Sequence, residues 1–258
     1  MTRPTPCTTG RGGHLRPMLR RALPALALLL AGCGAAPGGA SDFLGPAGTP
    51  AERFPAAVRP VAAIVSDQWS SEDSRERAGE AERVIGWMGI RPGMTVADIG
   101  AGAGYYAVRL ADAVGPGGRV LAQDVMPDTV ARLRRRVANR PNVSVGLGEP
   151  GDPRLPPAST DVALLVHMYH EVTQPYALLA NLIPALRPGA RVGILDVDGP
   201  IPFHGTPRAL LACEMAALGY RQVAVHDLKP PPRAEYLAIF EAPATPPPPE
   251  SVRPCPAR

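Results

Sequence analysis

In the run "TVADIGAGAGYYAVRLADAV", Thr95 to Val114, five strand-like residues, a glycine-rich turn and a helix-like stretch follow one another without a spacer. That order is the opening of a βαβ unit, and the alternation continues along the chain. "RVLAQDV" reads as a strand, "PDTVARLRRRVAN" as a helix with Pro127 at its entry, "NVSVGL" as a strand and "DVALLVHM" as a buried strand. A helix from about Gln174 to Leu186, the strand "ARVGILDV" and the helix "TPRALLACEMAALGY" follow. Upstream, "SRERAGEAERVIGWMGI" reads as a helix ending before Pro92-Gly93. The last two strands, "RQVAVHDL" and "EYLAIFEA", are joined by a loop with no helix, so the final strand should run antiparallel to its neighbours. The expected fold is α/β: a doubly wound, seven-stranded, mostly parallel sheet with an antiparallel last strand.

The ends of the chain have a different character. The apolar run Ala22 to Ala31 is too short to span a bilayer, which takes about 20 apolar residues. It follows Arg16, Arg20 and Arg21 and ends in Leu30-Ala31-Gly32-Cys33, which resembles a bacterial lipoprotein signal. Residues 1–32 are therefore expected to be a leader, with Met18 an alternative start, and Cys33 to carry lipid. Of the 33 prolines, five lie in the stretch 33–65, expected to be a tether, and six in 244–258, expected to be a disordered tail. The folded domain is then 66–243. Gly34 after the cysteine favours the outer membrane of the cell envelope, if the host has one. Of four cysteines, Cys213 and Cys255 survive processing unmodified, and no disulfide framework or metal site is implied. The net charge of +4 is carried by scattered arginines, the densest being "RLRRR" on one helix face, and no nucleic-acid motif accompanies them.

In an open parallel sheet, ligands bind at the carboxyl ends of the strands. Gly100, Gly102 and Gly104 lie at such an end, where the lack of a Cβ lets backbone approach a ligand. A dinucleotide fingerprint needs a small residue where Tyr105 stands, and Asp98 places a carboxylate where a pyrophosphate would lie. An anion there repels phosphate and attracts an ammonium, which suits S-adenosylmethionine. Asp124 ends the second strand about 20 residues on, where an acid accepts ribose hydroxyls. Asp152, after the third strand, is placed to accept the adenine amino group.

With "VADIGAGAGYY", Asp124, Asp152, "LRPGARVGILD" and "YHEV", the stretch from Trp69 to Phe240 resembles the class I S-adenosylmethionine-dependent methyltransferase family, in particular small bacterial members. The resemblance implies S-adenosylmethionine as cofactor, with Asp98, Gly100, Ala101, Gly102, Gly104, Tyr105, Asp124, Val125, Asp152 and His167 around it. It implies methyl transfer to a small-molecule or lipid-like acceptor. Relatives often have an acid at His167 and a second histidine at Glu171, so the acceptor is not inherited with the motif.

Methyl transfer from a sulfonium mainly needs alignment, and a base only if the acceptor must lose a proton. "VHMYHEV" places His167, Tyr169, His170 and Glu171 at a strand end; His170 is the candidate base and Tyr169 a wall of the pocket. Tyr105 or Tyr106 offers a ring to the sulfonium, His204 faces the acceptor side, and the segment near Trp69 and Trp87 is a candidate lid. Export separates such an enzyme from the cytosol, where its cofactor is made. Alternatives are therefore a lipid-anchored binding protein without turnover, a cytoplasmic enzyme with an unused leader, and an NAD-dependent reductase.

Overall fold

The computed structural model describes residues 41–64, 71–230, 232 and 234–256. The leader, Cys33 and Trp69 lie outside them. The strands are β1 (Ser41–Asp42), β2 (Thr95–Ile99), β3 (Arg119–Asp124), β4 (Val143–Leu147), β5 (Thr160–Val166), β6 (Leu186–Val197), β7 (Arg221–Lys229) and β8 (Glu235–Glu241). They form one sheet in the order β1-β4-β3-β2-β5-β6-β8-β7. The pairs from β1 to β6 are parallel, whereas β8 is antiparallel to both β6 and β7. The seven expected strands are all present, and a two-residue edge strand is added.

The helices are α1 (Glu72–Arg77), α2 (Glu80–Met88), α3 (Tyr105–Val114), α4 (Pro127–Arg136), α5 (Pro175–Leu182) and α6 (Arg208–Ala217). Alternation within the strands divides the core in two. Ala97, Ile99, Leu121, Ala163, Leu165, Val192 and Ile194 pack into one cluster with α5 and α6. Val96, Val120, Ala122, Val162, Leu164 and Leu195 pack into the other with α2, α3 and α4. Successive side chains of a strand point to opposite faces, so covering both faces requires the near-continuous apolar runs seen in β2 and β5.

Three expectations change, and a fourth holds. The single helix over residues 74–90 is broken between α1 and α2, where Gly79 adopts φ +59°. The tether does not hold as such over residues 41–64. Arg59 is buried there, its Nε donating to Glu214 Oε1 at 2.8 Å while its terminal nitrogen reaches the carbonyls of Tyr169 and Val172. The tail is packed rather than disordered over residues 244–256: Val252 and Cys255 are buried, and Cys213 forms a disulfide with Cys255. Proline-rich chain cannot extend the sheet, yet it lies well over a helix pair once cross-linked to α6. Finally, the arginines of α4 are paired, Arg134 with Asp42 and Arg136 with Glu72, as a solvated face would be.

Candidate functional site

The strand order reverses at β2, with β3 on one side and β5 on the other, and a cleft opens at their carboxyl ends. From Ile99 the chain turns through Gly100 to Gly104 into α3. Gly100 has φ +69°, and a Cβ there would sit 2.9 Å from Met168 Cγ. Gly102 has φ +56° and faces open space, on the cleft wall. The end of β3 clamps the turn: the Gly102 N–H donates to Asp124 Oδ2 at 3.0 Å, and the Gly100 N–H to Gln123 Oε1 at 3.3 Å. The Met126 N–H donates to the other oxygen of Asp124. The cleft is about 1090 Å³ and open to solvent.

Asp98 lies beneath this turn, 2% exposed, and its Oδ2 makes no hydrogen bond among the described residues. Burial, and then the charge of nearby Asp124, push its carboxyl up to about 7. Asp124 is raised too, chiefly by burial, against the three backbone N–H groups that stabilise its charge. Two desolvated carboxylates side by side, one with an orphaned oxygen, make a cradle that a cation would satisfy and a phosphate would not.

Of the residues expected around a cofactor, Gly100, Ala101, Gly102, Tyr105, Asp124, Val125 and His167 line the cleft, with Asp98 just below. Gly104 instead supports the turn from behind, leaving room for Leu133 of α4. Asp152 is a correction. Its two oxygens accept from the backbone of Gly48 and Arg154, so it ties residues 45–49 to the domain, and Glu149 and Pro150 line the cleft in its place. A turn rich in glycine and proline reverses direction within two residues, and spacing alone does not say which acid faces inward. Tyr169 is a second correction. It is fully buried, donates to Glu214 Oε2 and does not line the cleft. His170 is likewise buried behind the cleft, its Nδ1 within 2.9 Å of Asp196 Oδ1.

His167 has φ +52° and sets its Nε2 3.3 Å from Glu80 Oε2. Burial works to raise Glu80, but His167, Arg75 and Tyr106 outweigh it and hold its carboxyl below the usual range. Tyr105 lies on the cleft wall, donating to Glu76 and covered by Arg109, while Tyr106 is core. Trp87 stacks on His226, away from the cleft. Sequence reasoning missed Arg75, Gln123, Met168 and Thr173 on the wall. Gln123 and Met168 had a signal, their positions next to Asp124 and His167.

Residues 96–189 match the family described as "Methyltransferase domain". That stretch is similar to a methyltransferase domain. The chain's mixed sheet with an antiparallel last strand matches that of Rossmann-like methyltransferases, and a crystal structure of a SAM-dependent methyltransferase from Aquifex aeolicus is similar to it. That structure superposes with a TM-score of 0.59 at 26% identity, over 65% of this chain and 92% of the other. Arsenite methyltransferase of Halobacterium salinarum is 32% identical over 134 residues, 50% of this chain and 34% of that protein. Nocamycin O-methyltransferase of Saccharothrix syringae is 33% identical over 124 residues, 47% and 43% of the two chains. A 2-phytyl-1,4-naphtoquinone methyltransferase of Nostoc is 30% identical over 122 residues, 46% and 53%. The chain thus spans between a third and about half of the length of these curated relatives.

Proposed function

We propose that this methyltransferase domain transfers the methyl group of S-adenosylmethionine to a small-molecule or lipid-like acceptor, and that it does so from a lipid-anchored position in the cell envelope. One observation carries the cofactor assignment: the orphaned oxygen of buried Asp98 beneath the glycine turn, with Asp124 beside it. The methionyl ammonium of the cofactor satisfies that oxygen. The two oxygens of Asp124 accept three backbone N–H groups between them, which leaves a carboxylate lone pair for a ribose hydroxyl. Val125 and Pro150 supply apolar walls for the base. The bound sulfonium brings a methyl group already activated by its positive leaving group, so the chain's own task is to hold the acceptor in line and to keep water out.

The acceptor side supports a small, partly apolar molecule. Ile64, Met168, Val172 and Thr173 line it, and the names of three relatives specify arsenite, nocamycin and a naphthoquinone as what those proteins act on. Envelope location is supported by the leader's charge, length and cysteine, and by the Cys213–Cys255 disulfide, which persists in oxidising compartments. Calorimetry with S-adenosylmethionine and its demethylated product tests the cofactor, and transfer of labelled methyl into envelope extracts tests turnover. Heat without transfer would make the chain a binding protein. Heat with NADH alone would overturn the assignment.

A further inference from the structure

Beside the cofactor cleft, three more acceptor atoms converge. His170, Glu171 and His204 each offer one ligand atom, and these lie within 4.8 Å of one another. Their geometry is held from behind. Asp196, fully buried at the end of β6, accepts from the Val197 N–H and from Thr206 Oγ1, and sits 2.9 and 3.0 Å from His170 Nδ1. A carboxylate with that company is an acceptor, so His170 carries a proton on Nδ1 and turns Nε2 forward. That nitrogen stands 4.0 Å from Glu171 Oε1. The ring of His204 stands perpendicular to that of His170, centroids 5.2 Å apart, with its Nδ1 buried. His204 is held at φ +57°, a conformation that costs a non-glycine residue about 1–3 kcal/mol and is concentrated at functional sites.

We propose that His170 Nε2, Glu171 and His204 bind a divalent transition-metal ion, with Asp196 as the outer carboxylate that orients His170. Two imidazoles and one carboxylate are a zinc ligand set that leaves a fourth position open, and a histidine that donates its other N–H to a carboxylate is the usual support for such a site. Oxygen-seeking calcium and magnesium do not choose two imidazoles. In the other His/Glu group, Glu80 with His167 and Glu235, Glu80 already accepts from Tyr106 and Glu235 is paired with Lys229. Because Glu171 also lines the cleft, the open position faces the methyl donor's side. On the methyltransferase reading, it takes an acceptor thiol or hydroxyl, which releases its proton to solvent and attacks the methyl carbon as the anion. The carbon–sulfur bond of the sulfonium breaks with its electron pair going to sulfur, leaving a neutral thioether.

The test is a titration of chelator-stripped full-length protein with Co²⁺, read by the visible absorption of low-coordinate cobalt and followed by Zn²⁺ competition. We expect one Co²⁺ per chain, displaced by Zn²⁺, with the band lost in H204A and H170A and the affinity lowered about 10–100-fold in D196N. Calorimetric S-adenosylmethionine binding retained by H204A shows that this variant is folded. No saturable band in the wild type overturns the site, as does a band unchanged in both histidine variants. Metal binding with no S-adenosylmethionine binding would leave the site standing and sink the cofactor assignment instead.

Discussion

Replacing Asp98 by asparagine should stabilise the ligand-free protein while removing its cofactor. Asp98 is buried and raised from an ordinary carboxylate value of 3.8 to about 7. Its folded pKa lies above its unfolded one, so the folded state holds an extra proton between those values. The stability linked to that proton is fully present below about pH 4 and is lost as the pH rises through about 7. A gap of about three pH units at about 1.4 kcal/mol each amounts to roughly 4 kcal/mol. Asparagine cannot ionise and loses none of it. The difference in stability between D98N and wild type should therefore grow by roughly 4 kcal/mol from about pH 4 to about pH 8.5, or roughly 8–16 °C in Tm for a chain of this size. Taking the difference cancels groups common to both proteins, including most of the Asp124 contribution. The assay is thermal melting of both across that range, with calorimetric S-adenosylmethionine binding at each pH. Wild-type affinity should rise through about pH 7 as Asp98 ionises to meet the ammonium, and D98N should bind weakly throughout. A stability difference that stays flat with pH, or D98N binding the cofactor as the wild type does, refutes the reasoning.

Gly102→Ala and Gly100→Ala should separate binding from folding. At Gly102 a Cβ meets nothing, so the variant should cost about 1–2 kcal/mol in the melt for its left-handed backbone yet lose cofactor binding by calorimetry. At Gly100 the Cβ would collide with Met168, so a larger loss of stability should accompany the loss of binding. Arg59→Ala leaves Glu214 buried without its cation and should lower stability by about 3–5 kcal/mol in denaturant melts. Reducing Cys213–Cys255, which closes a loop with a sequence separation of 42, should cost about 2–4 kcal/mol; an unchanged melt under reductant would contradict the packed tail.

The central elements were legible because each is determined locally. The sequence reading of β2, α3 and β4 agrees with the structure to within a residue, since a buried strand reads as a continuous apolar run and glycine or proline marks its ends. The glycine turn and Asp124 were legible for the same reason: they sit at fixed positions after strands. What stayed hidden depends on contacts across long separations. Arg59 pairs with a glutamate 155 residues away, and composition alone made its segment resemble a linker. Proline richness says that chain cannot form helix or sheet interior; it does not say that the chain leaves the surface. Asp152 and Tyr169 failed because facing is decided by tertiary packing, on which short irregular turns carry no periodicity.

Charge gives the carboxyl edge of the sheet its common logic. The whole chain is positive, +4, and its α4 arginines are exposed or paired at the surface. Yet Asp98 from β2, Asp124 from β3, Glu171 after β5 and Asp196 from β6 all gather at one edge. Parallel strands end there together, so acids at four successive strand ends share a neighbourhood that no single stretch of sequence reveals. Burial makes that concentration unfavourable, as the raised values of Asp98 and Asp124 record. Such an edge is relieved by protons or by cations, and two groupings of acceptors on it are distinct. One is under the glycine turn, the other between His170 and Glu171. The first fits an organic ammonium because glycine backbone lets a nucleoside lie over it. The second fits a metal because imidazole nitrogens point into it. An ammonium under the turn should therefore bind more tightly as the pH rises through about 7 and Asp98 ionises.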